Sequence, residues 1–188
     1  MKKLASLLLC LCCLYAVALG EGRTAYDFGD FTLEVPADAL VYEGERVSNA
    51  EFFAAYPDYD DADAVHPSMS IIWTETGFAA SFAAVEAGDF AQAQLDGVVA
   101  AYGAQGATVA EAIVQEAGYS EDGSTLTMRT RMTVDYAAMG MDVQLTLCQA
   151  QVWMDVGAAG GYLFSFTAGD EATLDTLLSW MGTLAPAS

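Results

Sequence analysis

The side chains with chemistry to offer fall into three short stretches. The first is acidic: Asp58, Asp60, Asp61 and Asp63 supply carboxylate oxygens of the kind a hard cation takes. Calcium needs about six to eight oxygens, and an EF-hand loop also needs a glycine and a terminal glutamate at set positions. Ala62 and Val65 interrupt the spacing and the glycine is missing, so a solvated acidic loop is the plainer reading. The second stretch holds Arg129 and Arg131, which share one face of any strand that contains them. In so acidic a chain they are expected to pair with carboxylates on adjacent strands, while an anionic ligand is the sharper alternative. The third is Tyr136-Ala137-Ala138-Met139-Gly140-Met141, which falls where two long strands must turn yet lacks the usual polar turn residues. An apolar tip built on Tyr136, Met139 and Met141 is a candidate contact surface for a protein partner, and flexible methionines suit such surfaces. A tip folded back under a helix is the competing reading, and a soft Met-Gly-Met copper site lacks further ligands.

Other chemistries lack their parts. His66 is the sole histidine, and no serine sits in a nucleophile-elbow context to use it. One histidine with Cys148 does not make a zinc site. Some pair of carboxylates is inevitable among 26 acidic residues, so a glycosidase dyad cannot be read from abundance. Gly157, Gly160 and Gly161 precede a strand and not a helix, unlike a phosphate-binding loop. Neither a catalytic constellation nor a cofactor is expected.

The elements that must position these residues are mostly legible. Thr125 to Tyr136 alternates polar and apolar residues with a period of two, which predicts a strand. The next strand breaks phase: Val143, Leu145 and Leu147 are apolar on one parity, Cys148, Ala150, Val152 and Met154 on the other. A β-bulge near Cys148 to Gln151 resolves this, and burial on both faces is the alternative. Tyr162, Phe164 and Phe166 line a last strand. Thr108 to Tyr119 reads as an edge or half-exposed strand, turned by Glu121-Asp122-Gly123. A helix opens at Asp89 with the stripe Leu95, Val98, Val99 and Tyr102 and stops at Gly103; a closing helix is capped by Asp170 and carries Leu174, Leu177, Leu178 and Met181. Upstream, Tyr26 to Val35 forms a hairpin around Gly29-Asp30. The capping box Ser48-Asn49-Ala50-Glu51 predicts a short helix from about Asn49 to Tyr56. Met69 to Trp73 alternates as a strand, and Phe78 to Glu86 is read as another after the turn Thr74-Glu75-Thr76-Gly77.

The start of the chain is an address. Met1-Lys2-Lys3 is basic, Leu4 to Ala18 is apolar, and small residues follow at Ala16, Ala18 and Gly20, the order of a secretory signal peptide. Residues 1–20 are assigned to it, with cleavage after Ala18 or Gly20, and 21–188 to a single domain. Lipidation at Cys10, Cys12 or Cys13 is disfavoured, because no small residue precedes them directly. Cleavage leaves Cys148 without a partner, expected to be a buried, inert thiol. The chain carries a formal charge of −20, a field that repels nucleic acid and anionic lipid and suits an exported, extracellular or envelope-associated protein.

The order of elements, with Phe31-Thr32-Leu33-Glu34-Val35-Pro36 after the first turn and Gly161-Tyr162-Leu163-Phe164-Ser165-Phe166-Thr167 before the last helix, resembles the Mog1/PsbP-like group of small α/β sandwiches. The resemblance is one of topology across most of the mature chain, and it implies a binding or accessory role without transferring any functional residue. The expected fold is α+β: a single antiparallel sheet, made of the N-terminal hairpin and a C-terminal meander, covered by two amphipathic helices and one short helix. The expected function is an exported, non-enzymatic binding domain, with a calcium-dependent module using Asp58–Asp63 as the alternative.

Overall fold

The fold is that of a computed structural model, which describes residues 22–47, 50–56 and 65–187. The chain divides into two compact units, one spanning residues 40–179 and the other combining residues up to 39 with those from 180 onward.

The larger unit is built on a seven-stranded sheet. Its strands are β3 (Leu40–Val47), β4 (Ala50–Ala55), β5 (Ser68–Thr74), β6 (Thr108–Tyr119), β7 (Thr125–Asp135), β8 (Gln144–Asp155) and β9 (Gly161–Ala168), in the order β3-β4-β5-β9-β8-β7-β6. Every pairing is antiparallel. Among the described residues three α-helices accompany it: α1 (Ala79–Phe82), α2 (Ala87–Ala104) and α3 (Glu171–Leu178). The stripe expected on α2 is present. Leu95 is buried with Met132, Val134 and Leu147, and Val98, Val99 and Tyr102 pack against that cluster. The Asp170 carboxylate caps α3 by accepting the Thr173 N–H at 2.9 Å, which satisfies an orphan donor of the first turn.

The phase break in β8 has a different cause from the expected bulge. β8 pairs with β7 without interruption from Thr125↔Met154 to Asp135↔Gln144. Leu145 and Leu147 serve the α2 face, while buried Cys148, Ala150 and Val152 serve the other, so both parities are apolar because the strand is covered on both sides. Register shifts fall instead in β6, at Val109/Glu111 and Val114/Glu116. That strand is the edge anticipated from sequence.

Two further expectations are corrected. Ala50–Ala55 is strand β4, not a helix: pairing on both sides, with β3 and β5, overrides the local capping signal. Phe78 to Glu86 is not a strand. Ala79–Phe82 is one helical turn, started where the Asp155 carboxylate accepts the N–H groups of Phe78 at 2.5 Å and Ala79 at 3.1 Å.

The smaller unit corrects the single-sheet expectation. The hairpin β1 (Arg23–Asp27) and β2 (Phe31–Pro36) does not extend the large sheet; it forms a separate three-stranded sheet with β10 (Ala185–Pro186), in the order β1-β2-β10. Phe31, Leu33 and Val35 are buried, and Gly29 adopts the positive φ of 86° that its turn requires. β10 is two residues long and ends in a proline, too short to leave a periodic signal.

Candidate functional site

The tip between β7 and β8 is a tied structure. Asp135 Oδ1 accepts the Ala137 N–H at 2.8 Å, and a 3-10 turn runs Ala137–Met139. The Tyr136 carbonyl accepts N–H groups from Met139 at 2.9 Å and Met141 at 3.3 Å. Gly140 closes the turn with φ 82°, a conformation that penalises a side chain. The backbone is thereby fixed without the polar turn residues that sequence rules look for.

The predicted tip residues divide. Tyr136 is half-buried and packs against the α2 cluster, so this residue does fold back under the helix. It also stands beside Tyr102, whose phenol is pushed above its ordinary range, chiefly by burial and then by the Tyr136 group. Met139 and Met141 stay out, with 45% and 46% of their surface exposed. Met139 Cγ reaches towards Gly106, just past the end of α2. Sequence reading missed Tyr102 and Gly106 as neighbours of the tip. Only a correct registration of the helix end against the hairpin brings them together.

The arginines separate as well. Arg129 is bound by α3: its Nη2 lies 2.6 Å from Asp175 Oδ1 and 3.2 Å from Glu171 Oε2. The other oxygen of Glu171 accepts from Gln115 Nε2 at 2.8 Å. The carboxylate pairing expected of Arg129 is therefore realised, with a helix in place of adjacent strands. All three ionic groups keep some solvent contact, which limits the pair to about 1 kcal/mol. Arg131 is exposed, and among the described residues it forms no ion pair. Beside it Cys148 is buried, and burial followed by the Glu171 carboxylate pushes its thiol up to about 11. A thiol so held stays protonated at neutral pH and is a poor nucleophile.

Asp58, Asp60, Asp61 and Asp63 lie outside the described residues. Among the described residues, no three His, Cys, Asp or Glu side chains are grouped to hold a metal ion. His66 is exposed, with Nε2 donating to the Tyr56 carbonyl at 2.7 Å. No helix among the described residues is long and apolar enough to cross a membrane.

No family model and no curated protein matches the chain. Solved structures do. The solution structure of a cyanobacterial PsbP from Synechocystis aligns with a TM-score of 0.53 and 14% identity, covering 89% of this chain and 94% of that one. The crystal structure of the Saccharomyces cerevisiae Ran-binding protein Mog1p aligns with a TM-score of 0.51 and 12% identity, covering 88% and 96%. At such identities the likeness concerns the fold alone. The chain has a Mog1/PsbP-like fold.

Proposed function

We propose that this chain is an exported, non-enzymatic binding or accessory domain that presents the tip between β7 and β8 to a protein partner. The observation that carries the reading is the exposure of Met139 and Met141 on a turn whose backbone is already fixed. An ordered apolar tip loses little conformational freedom on docking, and two thioethers adapt to the shape they meet. Mog1p is described as a Ran-binding protein, so a protein partner is in keeping with the fold. Residues 1–20 are taken as the secretory signal, and the acidic surface suits a mature protein outside the cell.

The test compares the wild-type chain with a Met139→Asp, Met141→Asp double variant as baits in the same culture extract. The variant is expected to keep its unfolding midpoint and lose a protein that the wild type retains. Equal capture by both removes the tip from the reading. Mass spectrometry of secreted protein checks the export half, with Leu19 or Glu21 expected as the first residue.

A further inference from the structure

Away from the tip, the large sheet carries a strip of a different character. The strands β5 and β9 have one face that is wholly apolar: Met69, Ile71, Phe164 and Phe166 are fully buried. The opposite face of the same strands carries Ser68 and Ser70 on β5 and Ser165 and Thr167 on β9, with Ile72 and Leu163 next in line. The register aligns these across the sheet. One row runs Tyr42, Phe53, Ser70, Ser165 and Gln151, from β3 to β8, and a second aligns Ser68, Thr167 and Gln149. All are half-buried except Tyr42, which is 43% exposed. The buried partners of α2 lie on β6, β7 and the start of β8, to one side of this strip.

Three properties of the strip define what it would hold. It carries no charge, although the chain holds 26 acidic residues. It ends in an aromatic pair, Tyr42 and Phe53, with ring centroids 6.2 Å apart. Its polar groups are only partly spent. Gln149 Nε2 donates to Thr167 Oγ1, and Gln151 Oε1 accepts from Trp153 Nε1. Among the described residues, Ser68, Ser70 and Ser165 make no side-chain hydrogen bond. Hydroxyls and an amide at the strand spacing of about 4.8 Å offer a line of donors and acceptors. An ionic ligand would find no counter-charge there, and an aliphatic one would leave those groups unpaired at a cost. A polyhydroxylated ring answers both, with its C–H face on an aromatic ring and its hydroxyls on the Ser and Gln groups.

We propose that this strip is a binding site for a neutral saccharide, distinct from the tip and independent of its reading. The full chain is titrated with maltohexaose, cellohexaose and chitohexaose, following tryptophan emission in a Trp73→Phe, Trp180→Phe background, where the remaining indole, Trp153, is hydrogen-bonded to Gln151. The expected result is a saturable change with at least one sugar, unaltered by added salt because the ligand is neutral. Tyr42→Ala is expected to weaken that binding about tenfold, and Tyr42→Phe to retain it, because the ring and not the hydroxyl supplies the platform. Ser70→Ala with Ser165→Ala is a second route, weakening binding without touching the aromatic pair. No saturable response to any of the three sugars overturns the proposal. So does binding that Tyr42→Ala and the serine pair leave unchanged, or binding that salt abolishes.

Discussion

Strand β8 ends in two turns of the same construction and opposite character. Each is a 3-10 turn, Ala137–Met139 at one end and Gly157–Ala159 at the other. At the tip, a Cβ on Gly140 would meet nothing, and two methionines stand in solvent. At the far turn, a Cβ on Gly160 would run into the Thr74 carbonyl and the Trp73 ring, and one on Gly161 would lie 2.5 Å from Phe78. Asp155 fastens that end further, accepting from Phe78 and Ala79 through one oxygen and from Gly157 through the other. Behind it Phe78 and Phe90 each meet Trp153 edge to ring, as Phe82 meets Phe90, and Phe78 and Phe82 lie tilted at 30°. One hairpin end is spent on holding the fold together. The other is rigid in its backbone and leaves Met139 and Met141 uncommitted, which is the condition a contact surface requires.

The contrast can be broken at either end. The largest effect is expected from Gly160→Ala, where φ of 136° and the absence of space act together; a loss of about 3 kcal/mol in denaturant unfolding is predicted. A loss below about 1 kcal/mol would mean that the far turn is as loose as the tip. Asp155→Ala strands three backbone donors and is expected to cost about 2 kcal/mol by the same measurement.

A third turn, between β6 and β7, sharpens the picture through pH. The Asp122 carboxyl is held at about 2, from an ordinary 3.8, by the Ser120 hydroxyl and the Ser124 N–H and hydroxyl. Its contribution to folding is therefore present above pH 3.8 and drains away as the pH falls through about 2. The stability gap between wild type and Asp122→Asn is expected to narrow across that window; a gap as wide at pH 2 as at pH 5 would contradict it. The smallest effect is expected from Met139→Asp with Met141→Asp, within about 0.5 kcal/mol of wild type in thermal unfolding. A larger loss would show that the tip is a structural part like its counterpart.

Much of this arrangement was legible in the chain itself, for identifiable reasons. The alternation of β7, the stripe of α2 and the Asp170 cap of α3 are local signals that the packing obeys. Ala50–Ala55 went astray because a good capping box describes only four residues, whereas pairing with β3 and β5 acts along the whole strand. The Phe78–Glu86 stretch matched both periods, and the arbiter was Asp155, about 75 residues away. The β8 phase break hid a strand covered on both faces. In the site, the exposure of Met139 and Met141 followed from their place at a turn, but the partner of Arg129 did not, because nothing local indicates that α3 comes within reach of its guanidinium. The Ser and Thr pairs of β5 and β9 alternate plainly, yet their meaning appears only once the two strands are neighbours.

That neighbourhood has a consequence in time. β5 pairs with β9 across Ser68↔Thr167 to Thr74↔Gly161, joining segments that a growing chain delivers far apart. The hairpins from β6 to β9 close over short loops, while β5 must wait for the last strand of the sheet to be made. Until then the β4–β5 hairpin has an open edge, and the smaller unit is in the same position, since β2 lacks β10 until Ala185 and Pro186 are made. The early hairpins can each pair on their own, but the sheets they belong to are completed only by strands made much later.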